Sequence, residues 1–121
     1  MRVLLVEDEE AVRDLASYVL RRQGYTVLEA TNGEDALRLT KEHTGMIDLL
    51  LTDTVMPKMG GEVLIGHFKS IRPETKIILT SGYTDKNFMQ DSNSAANQVA
   101  FIQKPFTAVE LTQKVRAVLD N

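Results

Sequence analysis

The chain has 121 residues, 43% hydrophobic and 26% charged, with a formal net charge of -3 and no cysteine. That length fits one domain, residues 1–121, burying roughly two-thirds of its unfolded surface around a single core, and the composition is that of a globular protein rather than a disordered one. Without cysteine, disulfides, thiol catalysis and thiolate metal sites are excluded, and scattered Lys and Arg under a negative net charge leave no footprint for direct nucleic-acid binding.

No apolar run approaches the roughly 20 residues of a membrane-spanning helix. Met1-Arg2 does not open a signal-peptide pattern. The expected location is therefore the cytoplasm, with no membrane contact by this domain.

Arg2 to Val6 reads as a buried strand. Ala11, Val12, Leu15, Ala16 and Val19 then recur at helical spacing until Gly24 supplies a stop. Thr26 to Ala30 is a second strand, and Asn32 caps a helix carrying Ala36, Leu37 and Leu39 that ends near Gly45. Ile47 to Thr52 is a third strand, apolar at successive positions as expected when both faces are covered. Beyond Pro57 and Gly60-Gly61, a helix defined by Val63, Leu64, Phe68 and Ile71 stops before Pro73. Lys76 to Ser81 is the fourth strand. Asp85 to Gln98 has little apolar surface, and only a short helix and a polar loop are expected there. Val99 to Gln103 is the fifth strand, and Thr107 with Glu110 reads as a capping box opening a last helix through Leu111, Val115, Val118 and Leu119.

Strands alternating with helices in this way give an α/β, doubly wound parallel sheet with helices on both faces. The natural strand order is 2-1-3-4-5, flavodoxin-like, with a ligand crevice between strands one and three. Glu7 and Asp8 follow the first strand and Asp53 follows the third, so three carboxylates meet at that edge. Their repulsion calls for a cation. Oxygen donors without Cys or His suit Mg²⁺, with Mn²⁺ as a second choice, rather than zinc.

Two further residues end strands at the same edge: Ser81, and Lys104 followed by Pro105. An ionised carboxylate attacks phosphorus once metal and lysine neutralise the incoming oxygens. In that arrangement Asp53 attacks, Asp8 and Asp53 hold the metal, Glu7 supports it through water, Lys104 pairs with one phosphoryl oxygen, and Ser81 hydrogen-bonds another. The product is an aspartyl phosphate.

Val6-Glu7-Asp8-Glu9, the run Asp53-Thr54-Val55-Met56-Pro57-Lys58-Met59-Gly60-Gly61, Ser81-Gly82-Tyr83 and Lys104-Pro105-Phe106 resemble the receiver domain of two-component response regulators. Each motif alone is weak; together, in this order and across the whole chain, they are specific. The resemblance implies Asp53 as phosphoacceptor from a histidine kinase or phosphotransfer domain, Asp8 as Mg²⁺ ligand and Glu7 as its outer-shell helper. It also implies the Val55 backbone carbonyl as a further metal ligand, Ser81 as switch hydroxyl and Phe101 as switch aromatic. Thr80 is the competing hydroxyl; Ser81 is preferred because small Gly82 follows it. Phosphorylation is expected to reshape the face made by the fourth helix, fifth strand and last helix, the face through which a homodimer would form. The Ser81 to Asp85 run and Gln103-Lys104-Pro105-Phe106 are most similar to receivers at the C-terminus of hybrid sensor histidine kinases.

Lys58 stands where many relatives have Gly, and Gly60-Gly61 replaces a common polar-Gly pair. His43 and His67 are expected to be surface or packing residues, and Met46, Met56 and Met59 gap-fillers. Tyr83 either gates Asp53 or covers a loop. Glu9 and Glu10 are expected to serve the first helix's N-terminus, and Thr54 to fill a loop position.

The expected function is a phosphoryl-accepting switch that catalyses its own phosphorylation and hydrolysis and is not an enzyme acting on a metabolite. The alternatives are a non-phosphorylated interaction scaffold, a haloacid-dehalogenase-type phosphatase and a flavin-binding module. The phosphatase wants a second Asp where Val55 stands. The flavin module wants a hydroxyl-rich phosphate loop where Glu7-Asp8-Glu9-Glu10 would repel its ligand.

Overall fold

The computed structural model describes residues 1–56, 58–81 and 99–120. Its elements run β1 (Arg2–Val6), α1 (Glu10–Arg22), β2 (Thr26–Ala30), α2 (Gly33–Glu42), β3 (Leu49–Asp53), α3 (Gly61–Ile71), β4 (Lys76–Ser81), β5 (Ala100–Gln103) and α4 (Ala108–Leu119). The strands form one parallel sheet in the order β2-β1-β3-β4-β5, the order expected from the alternation of elements. The helix expected within Asp85–Gln98, together with Pro57, Gly82 and Tyr83, lies outside the described residues.

Side chains alternate across a strand, so a central strand buried on both sides must be apolar throughout. β1 obeys this from Val3 to Val6 and β3 from Leu49 to Leu51. Val3, Leu5, Leu49 and Leu51 join Ala16, Val19 and Leu20 of α1 and Leu111 and Val115 of α4 in one core. Leu4, Val6 and Leu50 join Ala36 of α2 and Leu64, Ile65 and Phe68 of α3 in the core on the opposite face. Each fully buried Leu or Phe contributes roughly 1.5–3 kcal/mol of transfer free energy, which sets the helices on the sheet.

The helix limits follow local chemistry. Asn32 Oδ1 accepts the Asp35 N–H at 2.9 Å, capping α2. Thr107 and Glu110 make both bonds of the capping box that starts α4, at 2.9 and 3.1 Å. Gly24, at φ 94°, takes the left-handed conformation that ends α1.

Four apolar positions used to define helices face outward: Ala11, Leu15, Val63 and Ile71 are exposed. The buried stripes instead run through Ala16, Val19 and Leu20 in α1 and through Leu64, Ile65 and Phe68 in α3. Periodicity sets the width of a stripe but not its centre, which packing on the sheet decides. β3 begins at Leu49 rather than Ile47, although Ile47 is fully buried.

Candidate functional site

Alternation along the strands assembles the site. Val3 and Leu5, Leu49 and Leu51, and Ile102 all point into the core beneath α1 and α4. Glu7, Asp53 and Lys104 are the next positions of the same parity, just where β1, β3 and β5 run out. They converge at that edge.

The Lys104 ammonium bridges the two acids, with Nζ 2.7 Å from Glu7 Oε1 and 3.0 Å from Asp53 Oδ2. The remaining oxygens are also engaged: Asp53 Oδ1 accepts the Thr54 N–H at 2.8 Å and Glu7 Oε2 accepts the Glu9 N–H at 3.1 Å. The Glu7 backbone is held on both sides. Its N–H donates to the Ala30 carbonyl at 3.1 Å, and its carbonyl accepts from the Arg13 guanidinium at 2.9 Å. Arg13 is a site neighbour the sequence reading missed, although a cation on the first turns of α1 was its available signal.

One carboxylate oxygen from each of Glu7, Asp8 and Asp53 lies within 4.8 Å of the others, so this cluster could hold a metal ion. Glu7 and Asp53 are buried and Asp8 is exposed. Burial pushes the Glu7 carboxyl up from 4.5 to about 7, helped by the Asp53 charge, although the hydrogen bond from Lys104 opposes the rise. Burial likewise raises Asp53, with the Lys104 hydrogen bond and charge and the Thr54 N–H opposing it and the Asp8 charge adding to it. Burial alone would lower Lys104, yet its hydrogen bonds to Glu7 and Asp53 outweigh burial and raise it. Three carboxylates facing one ammonium leave excess negative charge, and the all-oxygen donor set fits a hard divalent cation.

Ser81 is fully buried at the end of β4, and its carbonyl accepts the Lys104 N–H at 2.8 Å. By alternation it continues the face of Leu79, the face against which Phe101 is half-buried. The competing Thr80 lies opposite Asp53 in register, and its hydroxyl turns toward the Thr52 carbonyl at 3.4 Å. Val55 is exposed beyond Asp53.

Glycine and methionine shape the loop behind Asp53. A Cβ on Gly61 would collide with the Asp53 carbonyl oxygen, and the Gly61 N–H donates to the Thr54 carbonyl at 2.9 Å. Met59 packs against Gly33 and Met56 is buried in the α2/α3 core, as gap-fillers do. Lys58 sits at φ 70°, the left-handed region that favours Gly. His67 is exposed and His43 caps the end of α2. Thr54 does not merely fill the loop: its hydroxyl donates to the Thr80 carbonyl at 2.7 Å. The signal for this was a hydroxyl directly after the strand-end acid.

Residues 3–116 match the family described as the response regulator receiver domain. The sensor kinase CckA of Brucella abortus is 38% identical over 119 residues, which cover 98% of this chain and 12% of that protein. A cyclic di-GMP phosphodiesterase of Thermotoga maritima is 30% identical over 121 residues, covering 100% of this chain and 32% of that one. The chain therefore spans less than two thirds of the length of these curated relatives.

Among solved structures, the receiver domain of the hybrid histidine kinase CckA superposes with a TM-score of 0.80 at 34% identity, over 98% of this chain and 99% of that one. The response regulator TrrA of Thermotoga maritima, in complex with Mg²⁺-BeF, gives 0.83 at 30% identity over 97% of each. Sheet order, edge constellation and these likenesses agree, and the chain belongs to the response regulator receiver domain family of two-component signalling.

Proposed function

We propose that Asp53 is the residue that accepts the phosphoryl group, from the phosphohistidine of a histidine kinase or phosphotransfer domain. The observation that carries this is the Asp53 carboxylate held between the Lys104 ammonium at Oδ2 and the Thr54 N–H at Oδ1, beside the Asp8 and Glu7 oxygens. An Asp53 oxygen attacks phosphorus, the new O–P bond forms as the donor's N–P bond breaks, and the released imidazole takes up a proton.

Lys104 neutralises one phosphoryl oxygen and Ser81 donates to another. Asp8, Asp53 and the Val55 carbonyl would hold Mg²⁺, with Glu7 supporting it from the outer shell through water. Bound Mg²⁺ offsets negative charge on the transferring group. The same groups support self-catalysed phosphorylation and slow hydrolysis, with Ser81 and Phe101 relaying the change toward β5 and α4. Residues 1–121 would work as one receiver unit, in the cytoplasm and within a hybrid kinase; among the described residues no helix is long and apolar enough to cross a membrane.

Intact mass after incubation with acetyl phosphate and Mg²⁺, for the parent and Asp53→Asn with an EDTA control, tests this reading. The expected result is a metal-dependent gain of one phosphoryl group in the parent, labile to hydroxylamine and missing in Asp53→Asn. A folded parent that gains no adduct and shows no turnover of acetyl phosphate would overturn it.

A further inference from the structure

Thr54 joins β3 to β4 immediately behind Asp53, and it does so twice. Its N–H donates to the Thr80 carbonyl at 3.0 Å and its Oγ1 donates to the same oxygen at 2.7 Å. The N–H is shared, since it also meets Asp53 Oδ1 at 2.8 Å. A donor divided between two acceptors serves each less well. The hydroxyl therefore secures the Thr80 carbonyl whenever the N–H turns toward Asp53, and Thr54 is buried, so little water competes for that bond.

The Thr80 carbonyl belongs to the planar peptide unit that carries the Ser81 nitrogen, and that unit moves as one body. On its other side, the Ser81 carbonyl accepts the Lys104 N–H at 2.8 Å. Ser81 is thus bracketed by the two groups that flank the site, Lys104 directly and Asp53 by way of Thr54. Val or Leu in place of Thr54 would leave the Thr80 carbonyl with only the shared N–H.

The geometry points to Thr54 as a positioning residue whose hydroxyl fixes the Thr80-Ser81 peptide relative to Asp53, so that Ser81 Oγ reaches the phosphoryl oxygens. This rests on Asp53 as phosphoacceptor and Ser81 as its hydroxyl partner. It adds a specific link between the phosphoacceptor strand and β4.

The test is a double-mutant cycle read as the rate of adduct formation from acetyl phosphate at saturating Mg²⁺, by intact mass. Thr54→Val removes the hydroxyl at nearly constant shape and is expected to slow the reaction roughly fivefold, the effect of about one hydrogen bond. Thr54→Ser restores the hydroxyl and most of the rate. In a Ser81→Ala background, Thr54→Val changes the rate by less than about twofold, because its route of action is already cut.

A residue that only stabilises the loop would slow both backgrounds equally, and that result overturns the inference, as does an unchanged rate in Thr54→Val. If Thr54→Val does not fold, Thr54→Ala takes its place in the cycle. A parent that gains no adduct overturns the phosphoacceptor reading and this inference together, whereas a reactive parent with a parent-like Thr54→Val overturns this inference alone.

Discussion

Lys104 Nζ stands closer to Glu7 Oε1, at 2.7 Å, than to Asp53 Oδ2, at 3.0 Å. The ammonium is thus committed to both buried acids at once.

The Glu7 carboxyl, raised by burial from 4.5 to about 7, binds its proton more tightly in the folded than in the unfolded chain. Its contribution to stability therefore falls as pH rises from about 4.5 to about 7 and is level above that, by at most about 3 kcal/mol. Asp53, raised in the same direction, adds to the fall. Mg²⁺ competes with these protons, so its stabilisation is expected to be greatest above pH 7. Melting curves from pH 5 to 8 in EDTA and in Mg²⁺, for the parent and Glu7→Gln, check this. A parent whose pH slope in EDTA matches that of Glu7→Gln would contradict it.

Lys104→Met leaves two buried carboxylates without their shared ammonium. In EDTA at pH 8 the loss is expected to be about 3 kcal/mol, as for a broken buried pair, and smaller at pH 5 where Glu7 is protonated. The rate of phosphoryl transfer should fall at least about tenfold even with Mg²⁺ saturating. Urea denaturation at both pH values and intact-mass kinetics read the two effects separately.

Gly61→Ala drives a Cβ into the Asp53 carbonyl, whereas a Cβ on Gly66 of the same helix meets nothing within 4 Å. Overpacking at Gly61 should cost about 1–3 kcal/mol and slow adduct formation by displacing Asp53. Gly66→Ala should stabilise by roughly 0.5–1 kcal/mol through helix propensity alone and leave the rate unchanged. Similar stability changes for the two variants would remove the close approach at Asp53 as the cause.

Lys58→Gly relieves a left-handed conformation at φ 70°. A gain of about 1 kcal/mol is expected, since the strain relieved exceeds the added freedom of the unfolded chain. Chemical denaturation of the two proteins side by side measures it, and destabilisation is the contrary result.

Thr107→Ala removes one arm of the capping box that starts α4. A loss of about 1 kcal/mol is expected, with phosphoryl transfer unaffected at saturating Mg²⁺ because the cap touches none of the site's acids. Thermal melts together with the acetyl phosphate assay separate the two outcomes.

Local chemistry and apolar patterning by themselves determined the sheet. Unbroken apolar runs at Val3 to Val6 and Leu49 to Leu51 required burial on both faces, and the strand-end positions of Glu7 and Asp53 followed from where those runs stop. Asn32 and Thr107 were legible as caps because capping is decided within four residues of chain. Tertiary structure alone decided which side of each helix is buried, turning Leu15, Val63 and Ile71 outward, because periodicity does not say where the sheet lies. It alone decided that Lys104 bridges Glu7 and Asp53, residues joined only through neighbouring strands. Only the register of β3 against β4 brought the Thr54 hydroxyl to the Thr80 carbonyl, 26 positions along the chain. Such contacts depend on strand pairing and side-chain parity together, and no single stretch of sequence holds both.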